Sequence, residues 1–173
     1  MLTVVRDPID IAISSINYLL TRFQANLGKE RIEADVQDWM TALGIHALPP
    51  QMTPQFVRDV SHLALYNPNI TQPNLLCHFL GGGTIEEVVA TLARHHVELT
   101  SMSGYAQWLQ AEWGVTTTTR MNVSTKYISL TSLPHQDLAY LQALSSEDRR
   151  LYELVEQRLE ASGRCFLLGN DLL

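Results

Sequence analysis

The sequence predicts a mostly helical chain with one short strand at its N-terminus. Apolar residues recur at helical spacing along most of its length, and capping residues, prolines and glycines punctuate those stretches where helices start and stop. β-Branched residues, stiff at χ1 and suited to extended backbone, gather at Thr3-Val4-Val5 and again at Thr116 to Thr119. A length of 173 residues fits a single domain, 1–173, able to bury a substantial core.

The opening run Thr3-Val4-Val5 reads as a strand, and Arg6-Asp7-Pro8 turns it into a helix. Pro8 suits the first helical position because its missing N–H would have no intrahelical partner, and Asp7 is a good cap. Ile9, Ala12, Ile13, Ile16, Leu19, Leu20 and Phe23 form one apolar stripe, so this helix runs to about Leu27, with Gly28 as its stop. A shorter helix spans Ile32 to Leu43 and closes at Gly44. Thr53 caps a third, which Pro54 opens and which ends near Tyr66. Prolines at 68 and 73 break the chain again. Thr84-Ile85-Glu86-Glu87 is a capping box, in which hydroxyl and carboxylate each satisfy a free N–H, and it starts the helix carrying Val88, Val89, Leu92 and Ala93. Another helix bears Tyr105, Trp108, Leu109 and Trp113 before Gly114. An extended segment near Thr118 leads into a loop at Asn122, and two final helices span 136–144 and 147–161 before Gly163.

Composition excludes several functions. Apolar content of 46% with 17% charged residues is that of a globular protein, not a disordered one. A formal charge of -6 argues against nucleic-acid binding, which rests on cationic contact with phosphates. Cys77 and Cys165 are far apart with no CxxC pattern, so neither a disulfide framework nor a zinc site is expected, and a reducing cytoplasm is. No segment approaches the roughly 20 apolar residues of a membrane span, and the apolar opening is too short for a signal peptide.

The strand, Arg6, and the helix start at Pro8 lay out an anion site. Free N–H groups and the positive dipole end of the helix face the strand's end, where Arg6 adds a guanidinium fork suited to phosphate oxygens. Arg6-Asp7-Pro8 with Ser14 eight positions after the arginine resembles the signature with which sulfotransferases bind the 3'-phosphate of the sulfate donor PAPS. Downstream segments agree in order with the family 2 type, the group of heparan sulfate 2-O-sulfotransferase and bacterial relatives. Asn74-Leu75-Leu76-Cys77-His78-Phe79-Leu80-Gly81-Gly82 is similar to their N-x-x-x-R/H-x-L-x-G turn. Arg120-Met121-Asn122-Val123-Ser124-Thr125-Lys126 is similar to their loop near the cofactor, and Asp148-Arg149-Arg150-Leu151-Tyr152-Glu153 to their D-x-x-L-Y-E helix.

The resemblance implies an α/β P-loop-like fold of which this chain, mostly α, is the C-terminal portion, without the N-terminal P-loop strand. It implies PAPS or 3'-phosphoadenosine 5'-phosphate as the cofactor, bound by Arg6, Ser14, Asn122, Ser124 and Lys126, and a hydroxyl acceptor such as a carbohydrate. In the family the P-loop lysine and the catalytic base precede the Arg-Asp-Pro segment, and nothing in this sequence replaces them. Gly81-Gly82-Gly83-Thr84 has no following lysine to reach the terminal phosphates. The catalytic residues are therefore unassigned, and a nucleotide-binding remnant or an oligomeric helical interaction module stands as the alternative.

The residues themselves leave other readings open. Arg6 could pair with Asp10, and Ser14 could bond a preceding carbonyl; Asn122, Ser124 and Lys126 could form an ordinary polar turn. His95 and His96, adjacent on a helix, point about 100° apart and do not share a metal ion. Glu86 and Glu87 are expected in a first turn for dipole and capping reasons, and Trp108 and Trp113 read as core. A lone strand with free edges and an apolar stripe on the next helix predict a homodimer through Leu2 to Val5 and Ile9, Ile13, Ile16 and Leu20. Lacking P-loop lysine and base, the purified chain is expected to transfer no label from PAPS to any acceptor; transfer abolished by Arg6→Ala would overturn this.

Overall fold

The opening strand has a partner that the sequence pattern did not disclose. In the computed structural model, which describes residues 2–115 and 125–173, β1 (Leu2–Val5) runs parallel to β2 (Glu98–Ser101), pairing Leu2 with Glu98 through Val5 with Ser101. The other edge of β2 pairs antiparallel with β3 (Leu167–Leu168), Leu99 facing Leu167. The helices, in chain order, are α1 (Pro8–Ala25), α2 (Ala34–Leu43), α3 (Pro54–Leu65), α4 (Leu75–Phe79), α5 (Ile85–Arg94), α6 (Met102–Trp113), α7 (His135–Leu144) and α8 (Ser146–Ser162). The fold is thus mostly helical with a small three-stranded mixed sheet. Two compact units make it up: Met1–Pro8, Asn74–Asn122 and Leu144–Leu173 form the first, Ile9–Pro73 and Val123–Ala143 the second.

In the first unit the sheet and its helices enclose Val5, Val88, Leu92, Leu99, Leu151, Val155 and Leu167, all essentially without solvent contact. Burying such a side chain contributes about 1.5–3 kcal/mol relative to leaving it exposed. α6 approaches the sheet closely through Gly104, where a Cβ would lie 2.6 Å from the Thr100 hydroxyl and 3.1 Å from the Cys165 carbonyl.

Two adjacent carboxylates, Asp148 and Glu147, serve two helix starts of this unit. Asp148, on the first turn of α8 and 3% exposed, accepts the Leu76 N–H at 2.9 Å and the Cys77 N–H at 2.7 Å, two orphan donors of α4. Asn74, in the left-handed region at φ 44°, returns the favour by accepting the Glu147 N–H at 3.0 Å. Glu147 in turn accepts the Ile85 N–H at the start of α5, at 3.0 Å. That hydrogen bond, with Arg150 next to it, holds the Glu147 carboxyl below its ordinary range. Burial, with the Asp148 carboxylate beside it, pushes the Cys77 thiol up to about 12, so it stays protonated.

The second unit is helical. Ile16, Leu20 and Phe23 of α1, Val36 and Met40 of α2, Val60 and Leu65 of α3 and Leu141 of α7 form its core. Its punctuation follows the sequence: Gly44 caps α2 at φ 68°, and the Thr53 hydroxyl accepts the Phe56 N–H at 3.1 Å.

Two expectations change. β1 is not a lone strand: β2 pairs with it along all four residues, and Ile9, Ile13, Ile16 and Leu20 are buried inside the second unit's own core. The helix face assigned to a homodimer thus packs within the second unit, while β1, at the edge of the sheet, pairs on one side only and leaves Leu2 exposed. The sequence also gave no sign of β2 and β3, while the extended segment expected near Thr118 lies outside the described residues. No described helix is long and apolar enough to cross a membrane. Asp148→Ala, which strands two N–H groups in an apolar setting, should lower unfolding stability by roughly 2 kcal/mol or more, measured by urea denaturation; an unchanged midpoint would refute the role given to the clasp.

Candidate functional site

Arg6 follows the buried Val5 directly at the end of β1, in the first unit, and is exposed. Among the described residues it pairs with no acidic side chain, so the surface ion pair is not its role here. Pro8 opens α1 as expected. Ser14, exposed on α1 in the second unit, is not the serine that bonds back to its helix; its neighbour Ser15 does so, donating to Ile11 O at 3.0 Å. Asn122 and Ser124 lie outside the described residues. Lys126 is described and exposed.

Within the second unit, a residue that sequence reasoning passed over joins two of these positions. Asn17, three residues after Ser14 and therefore its neighbour on the helix surface, is 5% exposed. Its carbonyl oxygen accepts the N–H groups of Tyr127 at 2.8 Å and Ile128 at 3.0 Å, and its amide donates to Ile128 O at 2.9 Å. The Tyr127 hydroxyl also bonds the Gln24 side chain. The segment that begins with Lys126 is thereby docked on α1 one turn from Ser14. An asparagine inside an otherwise apolar stripe is the signal that could have found it, since a buried amide needs partners.

The two other motif segments meet as well, for an architectural reason. Asn74 and Asp148 are the two ends of the reciprocal clasp between α4 and α8. Their side chains are spent on backbone N–H groups.

The glycine turn after α4 borders an open groove of about 560 Å³ in the first unit. One wall is His78 and Gly81 to Gly83. The other is Glu87, Ala90, Thr91 and Arg94, the i, i+3, i+4, i+7 face of α5. The turn does not cradle a phosphate with its backbone, because its N–H groups are already used. Gly81 donates to His78 O at 3.2 Å, Gly82 to Cys77 O at 3.0 Å, and Gly83 and Thr84 to the Glu87 carboxylate at 2.7 and 3.2 Å. That matches the absence of a following lysine.

A second hollow, of about 300 Å³, lies in the second unit beside Leu43, His62, Leu63 and Tyr66. Asp137 accepts the Tyr66 hydroxyl at 3.1 Å and sits 3.6 Å from His62 Nδ1. Burial, then the Asp137 carboxylate, raises the Tyr66 hydroxyl above its ordinary range. The nearby Ser61 hydroxyl donates to Val57 O at 2.7 Å, so this histidine has no free serine at its side to activate.

Among the described residues no cluster of histidine, cysteine and carboxylates could hold a metal ion. Trp108 packs edge-on against Phe166, with centroids 5.4 Å apart, but Trp113 is 71% exposed and is not core. α6 buries only Gly104 fully, and Trp108 is half-buried. No family model, curated protein or solved structure matches the chain. Asn17→Ala should destabilise the second unit by roughly 2 kcal/mol, since two N–H groups and a carbonyl lose their partner, and should raise hydrogen exchange at Tyr127 and Ile128; unchanged protection there would contradict the docking.

Proposed function

We propose that this chain carries the 3'-phosphate part of the cofactor site of a PAPS-dependent sulfotransferase, an enzyme class that transfers a sulfuryl group to a hydroxyl, such as one on a carbohydrate. The reading rests on the order of motifs along the sequence, and one observation carries it further: the Asn17 amide docks the segment starting at Lys126 against the helix that bears Ser14, across 110 residues of sequence. Two stretches that the resemblance assigns to the same cofactor through different motifs are thus neighbours on one unit. Arg6, exposed at the end of β1 and without an acidic partner among the described residues, is the second support.

In this reading Arg6 supplies a fork of charged N–H donors to phosphate oxygens, Ser14 a hydroxyl and Lys126 a point charge. Their task is to bind and orient the nucleotide, so that the sulfuryl group is attacked in line and 3'-phosphoadenosine 5'-phosphate leaves. No residue of the chain is assigned as base or as the lysine at the transferring group.

Calorimetric titration with 3'-phosphoadenosine 5'-phosphate tests the site. Saturable binding is expected, weakened by roughly 1.5 to 3 kcal/mol in Arg6→Ala, the cost of losing a charged hydrogen bond, and adenosine 5'-monophosphate should show no such dependence on Arg6. Binding indifferent to Arg6 and Lys126 would place the nucleotide elsewhere. No binding at millimolar nucleotide would leave the helical interaction module as the better description.

A further inference from the structure

We propose that the groove between the glycine turn and α5 binds a small oxyanion, a carboxylate or a phosphate monoester, held by Arg94 with His78 and the Thr91 hydroxyl. This site lies in the first unit and does not depend on the nucleotide reading.

The shape comes first. The volume of about 560 Å³ falls in the range of small-molecule sites, and the glycines keep it empty of protein. Gly81 adopts φ 88°, and a Cβ on it would come within 3.3 Å of Thr91 Cγ2, reaching across the groove to the opposite wall. A Cβ on Gly82 would meet Glu87 Cβ and Val88 N, both at 2.8 Å. L side chains are thus disfavoured at Gly81 by conformation and excluded at Gly82 by space.

The chemistry comes second. The turn's own N–H groups are committed, so recognition falls to side chains, and three are uncommitted among the described residues. Arg94 has no ion pair, unlike Arg22, Arg149, Arg150 and Arg164, which all pair with acids. Thr91 lies one turn before Arg94 on the same face, and His78 faces them from α4. A guanidinium, a hydroxyl and an imidazole N–H make a donor set for an oxyanion. Glu87 faces the same groove seven residues, about 10 Å of helix, from Arg94, and its carboxylate already takes two N–H groups. The anion therefore belongs at the Arg94 end.

Inorganic phosphate and acetate, titrated separately into the full chain labelled with nitrogen-15, give the test, read from the amides of Gly81, Gly82, Gly83 and Thr91. Saturable shifts at these amides are expected with at least one of the two ions. Arg94→Ala should weaken them about tenfold or more, as for a lost charge-assisted bond. Thr91→Val should weaken them less, and Arg158→Ala on α8, outside the groove, should leave them unchanged. Tighter binding of phosphate assigns the site to a phosphate monoester; equal or tighter binding of acetate assigns it to a carboxylate. Because Arg6→Ala should leave the groove's shifts intact, failure of the nucleotide site and failure of this one are separable. Absence of saturation with both ions, or shifts that persist undiminished in a folded Arg94→Ala, would overturn the proposal.

Discussion

Every helix start leaves N–H groups that need an acceptor, and at α4 and α5 the first unit meets that need with the carboxylates of one short segment. Asp148 takes the start of α4, Glu147 the start of α5, and Asn74, at the start of α4, takes Glu147's own N–H in exchange. A buried carboxylate is costly unless charged hydrogen bonds compensate it. Two short bonds to Asp148 do so, and the same bonds fix where α4, the helix that leads into the glycine turn, begins. The groove inherits its wall from that clasp.

The second unit uses a neutral version of the same device. Asn17 sits among the apolar residues of α1, and its amide supplies one donor and one acceptor to a passing backbone, as a strand neighbour would. An alanine there would preserve the helix and lose the loop's anchorage. The two motif pairs that the family resemblance brought together by order are therefore brought together in space by polar side chains of opposite function. Asn74 and Asp148 are consumed by architecture, whereas Ser14 and Lys126, in the second unit near Asn17, are exposed.

The glycine turn shows how similar sequences diverge in chemistry. A phosphate loop presents its N–H groups to the ligand; here Glu87 and the carbonyls of Cys77 and His78 take them. Glycine is required at 81 and 82 for a different reason, the close approach of α5. What remains free around the turn is cationic and hydroxylic side chain, which is why an anion there is held from the α5 wall.

Much of the helical architecture was legible in the residues, because its signals are local: Pro8 opening α1, Thr53 and Thr84 as caps, Gly44 and Gly163 as left-handed stops, and the stripe from Ile9 to Phe23. Backbone hydrogen bonds within a few residues decide such features, so their determinants lie within the same few residues. Beyond β1, the sheet was not legible. Glu98-Leu99-Thr100-Ser101 carries no period-2 alternation, since Leu99, Thr100 and Ser101 are all buried, and Leu167–Leu168 is two residues long; each is a strand only because distant segments supply its hydrogen bonds. The same limit applied to the sites. Residue type and order marked Arg6, Ser14 and Lys126, while the Asn17 clasp, the spent valences of Asp148 and the open face of Arg94 were decided by tertiary contacts, because whether a polar group is free for a ligand depends on which distant partner has already satisfied it.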